Sequence, residues 1–200
     1  VGTEITGKTL GVMGLGRIGR EVATRAIGLA MRVVAFDPMG DESWCRRAGV
    51  TFVTLDELLN QSDFITVHVP LTDETRGLLN SVTLAKTKKG VRVINCARGG
   101  IVDEKALIES IEKGHVKGAA LDVFEKEPLD SGSPLLKHPE IILTPHLGAS
   151  TEEAQVKVAI ELSQAIVDFF QNGFARQAVN LPPLDVAGQN QLLAFVGLAY

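Results

Sequence analysis

The sequence has 200 residues, a length that suits one large domain or one domain plus a piece of another, and its 45% hydrophobic residues are enough for a sizeable core. Its formal net charge of −4, without a basic run or tail, argues against a nucleic-acid-binding surface. The chain contains no apolar run long enough to predict a membrane span. Its two cysteines, Cys45 and Cys96, are far apart in the sequence and lack the spacing of metal ligands, so they predict a reducing cytosol and no metal site.

Short β-rich apolar runs alternate with helical stretches along the chain. These runs predict seven strands, at Thr9–Met13, Arg32–Phe36, Thr51–Val53, Phe64–Val67, Arg92–Asn95, Gly118–Leu121 and Ile141–Leu143. The clearest helices are Arg17–Leu29, Glu104–Lys113 and Thr151–Gln171. We expect Asp103 to cap the second of these helices and Ser150 to cap the third. This alternation predicts an α/β fold with a doubly wound, mostly parallel sheet, which binds ligands beyond the carboxyl ends of its strands.

The first strand runs into a Gly-x-Gly-x-x-Gly turn that opens directly onto the first helix. Gly14 permits the tight turn, Gly16 lets the backbone approach a pyrophosphate, and Gly19 lets the helix pack closely on the strand. The helix N-terminus offers N–H groups to the phosphates. Asp37 follows the second strand, 18 residues after Gly19, where its carboxylate can accept from both ribose hydroxyls and would repel a 2′-phosphate. The motif therefore predicts NAD rather than NADP.

Reactive side chains follow other strands of the predicted sheet. Arg98 comes after the fifth strand and before two glycines, and its planar guanidinium suits a substrate carboxylate. His146 and His68 each follow a strand, and imidazole exchanges protons near neutral pH, but position alone does not choose between them. A carboxylate beside the imidazole would hold its tautomer, and nothing local separates Glu127 from Glu125 for that role.

Five sequence blocks resemble the NAD-dependent D-isomer-specific 2-hydroxyacid dehydrogenases, in unbroken order over residues 2–180. The blocks are Gly7–Gly11, Gly14–Gly19, Asn95–Glu104, Gly118–Pro128 and Pro145–Thr151. The resemblance implies that Arg98, Glu127 and His146 are catalytic, which selects His146 over His68 and Glu127 over Glu125. Besides the glycines of the turn, it implies cofactor contacts at Arg17, Ile18, Asp37, Val69, Cys96, Ala97, Arg98, Asp122, His146, Gly148 and Ala149.

The same resemblance implies the domain organisation and the reaction. Residues 1–180 are expected to form a Rossmann-type NAD-binding domain, and residues 181–200 a remnant of a substrate domain joined through the Pro-rich turn Leu181–Leu184. The implied substrate is a small 2-hydroxyacid, 3-phosphoglycerate, in a cytosolic homodimer or homotetramer. Hydroxypyruvate or glyoxylate reductases and NAD(H)-sensing corepressors share the same three residues, so these alternatives stay open. Because both chain ends look cut, we expect the isolated chain to bind NAD(H) with little or no turnover.

Overall fold

The computed structural model describes residues 2–173 and Gly188. Its internal contacts divide the chain into two units, Val1–Gly148 and Ala149–Tyr200. The first unit holds a β-sheet and the helices that cover it, and the described part of the second unit is mainly one long helix. The expected boundary between residues 180 and 181, with its linker Leu181–Leu184, lies outside the described residues and stays a prediction.

Seven parallel strands form one sheet in the first unit. They are β1 (Thr9–Met13), β2 (Arg32–Phe36), β3 (Thr51–Phe52), β4 (Phe64–Val67), β5 (Val91–Asn95), β6 (Val116–Leu121) and β7 (Ile141–Leu143). Their order in space is β3-β2-β1-β4-β5-β6-β7, and every neighbouring pair is parallel. From β1, the strands β2 and β3 are added on one side, and after a crossover the strands β4 to β7 are added on the other side of β1. This topology confirms the predicted doubly wound α/β fold.

Neighbouring strands of the sheet end level with one another. The last residues of six strands are partners in one continuous row, which consists of Phe36, Met13, Val67, Asn95, Leu121 and Leu143. Because the strands are parallel, the loops that leave this row all emerge at the same side of the sheet. We call this side the carboxyl edge, and each loop that the sequence analysis singled out for chemistry begins there.

In the described residues, five α-helices lie between successive strands in the sequence, a short 3-10 helix (Pro134–Lys137) lies between β6 and β7, and a sixth α-helix follows β7. The α-helices are α1 (Arg17–Gly28), α2 (Glu42–Ala48), α3 (Leu55–Gln61), α4 (Ser81–Ala85), α5 (Glu104–Glu112) and α6 (Glu152–Asn172). The predictions for α1, α5 and α6 are confirmed, with each end within one residue of the expected position. No helix among the described residues is both long and apolar enough to cross a membrane.

One of the two predicted helix caps is confirmed. The side chain of Asp103 accepts a hydrogen bond from the backbone N–H of Ala106 at 2.9 Å, which caps α5 as expected. The predicted cap at Ser150 is wrong, because α6 begins at Glu152 and its N-cap residue is Thr151. The Thr151 hydroxyl accepts from the N–H of Ala154 at 3.1 Å.

Buried apolar side chains form two clusters that share β1. Leu10 and Val12 belong to a cluster that includes side chains of α1, whereas Met13 belongs to the larger cluster with Leu58 of α3 and Leu107 of α5. Alternate residues of a strand point to opposite faces, so the two clusters cover the two faces of the sheet. Burial on both faces explains why every residue of β1 is buried and why polar and apolar residues do not alternate along it.

We expect Leu58→Ala to lower the free energy of unfolding by about 2–5 kcal/mol, because it truncates a fully buried side chain and leaves a cavity in the core. Urea unfolding of the chain measures this change. Leu136→Ala is the matched control, since Leu136 is 54% exposed, and it should change stability by about 0.5 kcal/mol or less. Equal losses in the two variants would contradict the described core.

Candidate active site

The turn between β1 and α1 requires glycine at two of its three motif positions. Gly14 has a φ of +95°, in the left-handed region that side chains disfavour. A Cβ on Gly19 would lie 1.9 Å from the carbonyl oxygen of Gly14, so any side chain there would push α1 away from β1. A Cβ on Gly16, by contrast, would meet nothing within 4 Å. The fold itself does not explain the glycine at position 16, whereas close approach of a ligand does.

The amino end of α1 is suited to bind an anion. Gly16 is the N-cap residue and supplies no side-chain hydrogen bond to the first N–H groups of the helix. The first turn contains no acidic residue, and Gly16, Arg17 and Ile18 are exposed. Backbone N–H groups and the helix dipole both favour negative charge at such a terminus. These residues therefore fit the pyrophosphate of a dinucleotide.

Asp37 lies beside this turn at the end of β2. Its Oδ2 accepts a hydrogen bond from the backbone N–H of Leu15 at 2.6 Å, and its Oδ1 accepts from the N–H of Met39 at 2.8 Å. The half-buried carboxylate is thereby held next to the glycine turn, where it adds negative charge close to the helix terminus. This position fits the predicted contact with ribose hydroxyls and disfavours a 2′-phosphate.

Five of the predicted cofactor residues line one cavity at the carboxyl edge. The cavity has a volume of about 370 Å³, and its lining includes Ile18, Val69, Cys96, Ala97 and Arg98. The residues come from α1 and from the loops that follow β4 and β5, so the fold gathers them from three separate segments. Desolvation of the Cys96 thiol by its neighbours, and then the charge of Asp122, raise its pKa, which disfavours a thiolate at this position.

His146 and Glu127 are hydrogen-bonded to each other. Nδ1 of His146 lies 2.7 Å from Oε2 of Glu127, and the backbone N–H of Phe124 donates to Oε1 of the same carboxylate at 3.0 Å. These two interactions, with that of His146 the larger, hold the pKa of Glu127 below its usual value. His146 has a φ of +55°, which is uncommon for a residue with a side chain and often found at functional sites. The pair matches a general base oriented by a carboxylate.

Asp122 anchors the loop that carries His146. Its carboxylate is only 5% exposed and accepts from the backbone N–H groups of Leu147, at 2.8 Å, and Gly148, at 2.9 Å, and from the hydroxyl of Thr144. Burial raises the pKa of Asp122, but these three hydrogen bonds outweigh burial and leave it below the usual value. Asp122 therefore remains a carboxylate and holds residues on both sides of His146, Thr144 through its hydroxyl and Leu147 and Gly148 through their backbone.

The residues that the sequence left as alternatives have different partners. His68 Nε2 lies 2.9 Å from the hydroxyl of Thr66, and burial lowers the pKa of this imidazole. The N–H of Glu125 donates to Oε1 of Glu104 at 2.7 Å.

Among the described residues, no three His, Cys, Asp or Glu side chains are grouped as a possible metal site.

The predicted catalytic residues line two cavities rather than one. His146 and Glu127 border a cavity of about 470 Å³ together with Phe124 and Pro145, whereas Arg98 borders the 370 Å³ cavity described above. The guanidinium of Arg98 donates to the carbonyl oxygen of Ala97 at 2.6 Å. Both cavities lie at the carboxyl edge of the first unit. Ala149, another predicted cofactor residue, belongs to the second unit.

Two residues at the carboxyl edge were not selected from the sequence. Asn95 ends β5 and bonds through its buried amide to the backbone of Ala97 and Arg98, and Thr144 donates to Asp122. A signal for Asn95 was present, because an asparagine at the end of a strand often bonds the backbone two residues later. The contact of Thr144 joins residues 22 positions apart and has no local signal.

Residues 1–148 match the family described as D-isomer specific 2-hydroxyacid dehydrogenase, NAD binding domain. The chain is 55% identical over 184 residues to D-3-phosphoglycerate dehydrogenase of Bacillus subtilis, covering 92% of this chain and 35% of that protein. It is 48% identical over 199 residues to D-3-phosphoglycerate dehydrogenase of Archaeoglobus fulgidus, covering 100% of this chain and 38% of the relative. The chain thus spans little more than a third of the length of these relatives.

Solved structures share the fold. A glyoxylate reductase from Paecilomyes thermophila superposes with a TM-score of 0.82 at 36% identity, over 90% of this chain and 54% of that one. An NAD-dependent formate dehydrogenase from Staphylococcus aureus, in complex with NAD, gives a TM-score of 0.74 at 35% identity, over 84% of this chain and 50% of that one. Together with the sheet topology, these similarities confirm the predicted Rossmann-type fold.

The lowered pKa of Asp122 makes it a source of pH-dependent stability. Its contribution is fully present above the ordinary aspartate pKa of about 3.9 and is lost as the pH falls through the lower pKa of the folded state. We expect Asp122→Asn to reduce the difference between the urea midpoints measured at neutral and at strongly acidic pH. Asp73→Asn, at an exposed aspartate, is the control and should leave that difference unchanged. An unchanged difference in Asp122→Asn would contradict the anchoring role.

Proposed function

This chain belongs to the D-isomer-specific 2-hydroxyacid dehydrogenases, and we propose that it is the NAD-binding part of an enzyme that oxidises 3-phosphoglycerate to 3-phosphohydroxypyruvate, the first step of L-serine biosynthesis. NAD is the cofactor of this domain family. The observation that carries the catalytic part of the proposal is the hydrogen bond between His146 and Glu127 at the carboxyl edge. The proposed substrate follows from two relatives, which are both D-3-phosphoglycerate dehydrogenases.

The proposed cofactor site extends from the glycine turn to the loop of His146. The turn and the amino end of α1 would hold the pyrophosphate, and Asp37 would accept hydrogen bonds from the ribose of the adenosine. The remaining proposed contacts are Val69, Cys96, Ala97, Arg98, Asp122, His146, Gly148 and Ala149. When bound, the cofactor supplies the acceptor for the hydride that leaves C2 of the substrate.

The proposed chemistry assigns one role to each of three side chains. Nδ1 of His146 is engaged by Glu127, so Nε2 is the atom that takes the proton of the 2-hydroxyl group. The carboxylate of Glu127 stabilises the imidazolium that forms. Arg98 binds the substrate carboxylate and the developing carbonyl oxygen through its planar guanidinium. In the reverse direction, protonated His146 returns its proton to the carbonyl oxygen as the carbonyl is reduced.

The test of this function uses the full-length protein that contains the chain. In the oxidation direction, we expect NAD⁺-dependent turnover with a higher kcat/KM for 3-phosphoglycerate than for glycerate. In the reduction direction, we expect a higher kcat/KM for 3-phosphohydroxypyruvate than for hydroxypyruvate or glyoxylate. A preference for glyoxylate or hydroxypyruvate would instead identify a reductase, the activity named for one structural neighbour. Absence of turnover together with NADH-dependent peptide binding would identify a corepressor-like protein.

We further propose that the enzyme is cytosolic and forms a homodimer or homotetramer. The two free cysteines support a reducing compartment, since Cys45 is buried and Cys96 is exposed without a disulfide. The apolar side chains of α6 support self-association, because Val156, Ile160 and Phe170 are each more than half exposed. Size-exclusion chromatography with light scattering of the full-length protein tests the oligomeric state, and a monomer would contradict this proposal.

We expect Gly16→Ala to weaken NADH binding at least about tenfold while stability changes by about 1 kcal/mol or less. The added methyl group has open space in the protein but would occupy the approach to the pyrophosphate. Fluorescence titration with NADH and urea unfolding measure the two effects. Gly28→Ala is the control, because it also adds a methyl group in open space, at the other end of α1, and should leave NADH affinity intact.

We expect Arg98→Lys to lower kcat/KM by about 10²-fold or more, because an ammonium group cannot bind a carboxylate through two parallel hydrogen bonds. NADH affinity should persist, since the positive charge remains. Steady-state kinetics of the full-length protein and NADH titration give the two quantities. An equal loss of turnover and NADH affinity would overturn the proposed role of Arg98.

The isolated 200-residue chain should bind NADH and be stabilised by it, with little or no turnover of 3-phosphoglycerate. The reason is that the chain covers little more than a third of the length of the dehydrogenases it resembles. Thermal unfolding with and without NADH, and a rate measurement, test this expectation. A specific activity equal to that of the full-length enzyme would contradict it.

A further inference from the structure

The turn that carries Arg98 is closed by one buried side chain. Asn95, the last residue of β5, is only 2% exposed. Its Nδ2 donates to the carbonyl oxygen of Arg98 at 2.9 Å, and its Oδ1 accepts from the N–H of Ala97 at 3.0 Å. The side-chain amide of Asn95 therefore binds one backbone N–H and one backbone carbonyl of the turn, and both its NH₂ group and its oxygen are hydrogen-bonded.

The same turn is fixed from the side by the loop after β6. A Cβ on Gly99 would lie 1.7 Å from the carbonyl oxygen of Phe124, so the two backbones are in direct contact. The N–H of Asp122 donates to the carbonyl oxygen of Asn95 at 3.0 Å. The backbone of Asn95 thus joins the loop that contains Glu127, while its side chain holds the turn that contains Arg98.

The direction of the Arg98 side chain depends on this turn. Arg98 is exposed, and its Nη1 donates to the carbonyl oxygen of Ala97, which lies within the segment that Asn95 holds. A change in the Ala97 peptide would therefore move the guanidinium as well. We infer that Asn95 is a positioning residue, whose amide fixes the turn so that Arg98 meets the carboxylate of the substrate. This inference rests on the role proposed above for Arg98.

The chemistry of the amide explains why asparagine suits this position. An aspartate of the same shape keeps the acceptor for the Ala97 N–H but replaces the donor with a second oxygen, which would face the carbonyl of Arg98. Two facing oxygens repel each other, so the turn would open toward solvent, where its backbone groups can bind water. Asn95→Asp is therefore expected to shift the turn without removing the strand beneath it.

The first experiment is a double-mutant cycle on the full-length enzyme. We expect Asn95→Asp to lower kcat/KM for the 2-hydroxyacid that the enzyme uses by about 10²-fold. If Asn95 acts through Arg98, the double variant Asn95→Asp/Arg98→Lys should equal Arg98→Lys alone within about twofold. Additive losses would show that Asn95 acts independently of Arg98 and would overturn the inference.

The matched control is Thr87→Val, close to the other end of β5. Thr87 is also buried, at 6% exposure, and its hydroxyl donates to the carbonyl oxygen of Leu84 and lies 3.1 Å from His115 Nε2. This variant removes hydrogen bonds close to the opposite end of β5, away from the carboxyl edge. It should lower the thermal midpoint while leaving kcat/KM within about twofold of wild type.

A second measurement does not depend on the substrate. Hydrogen exchange of residues 96–100, followed by mass spectrometry, should be faster in Asn95→Asp than in wild type and unchanged there in Thr87→Val. Unchanged exchange in Asn95→Asp overturns the inference even if turnover falls. Failure of the wild-type protein to oxidise 3-phosphoglycerate would instead overturn the proposed substrate, and the exchange result would still decide the role of Asn95.

Discussion

The parallel register of β1, β4, β5, β6 and β7 is the constraint on which the site depends. Because the last residues of these strands are partners in one row, the loops after them begin side by side. The glycine turn, the turn of Arg98, Asp122 and the loop of His146 all follow residues of this row directly or within three positions. The register of the sheet alone thus places near one another residues that are up to 132 positions apart in the sequence, from Gly14 to His146, without any specific side-chain contact.

Backbone contact and buried hydrogen bonds then fix the loops at the carboxyl edge. Where two backbones touch, the chain has glycine, as at Gly19 against Gly14 and at Gly99 against Phe124. Where a loop needs a fixed shape, a buried polar side chain binds its backbone, as Asp122 does for residues 147 and 148 and Asn95 for residues 97 and 98. Buried polar groups of this kind are costly unless all of their hydrogen bonds are made, which ties the shape of the loops to the stability of the sheet.

Much of the fold and part of the candidate site followed from local sequence. The seven strands, the long helices and the turn of Gly14 have signals within a few residues, so they could be predicted. The helices α2, α3 and α4 have seven, seven and five residues and are too short to show helical periodicity. The cap of α6 was misplaced because Ser150 and Thr151 are both good capping residues, and only the start of the helix decides between them. Which acid meets which histidine depends on the path of two loops, so the pairing of His146 with Glu127 rather than Glu125 required either a family resemblance or the structure itself.

The hydrogen bond between Asp37 and the N–H of Leu15 bears on any attempt to redesign the coenzyme preference. The carboxylate that we propose to disfavour a 2′-phosphate is also an acceptor for the backbone of the glycine turn. Exchanging Asp37 for a neutral or basic residue removes the repulsion and, in the same step, leaves the Leu15 amide without its acceptor. An NADP-accepting version of this domain therefore needs two coordinated changes, one that binds the extra phosphate and one that supplies a new acceptor for the Leu15 amide.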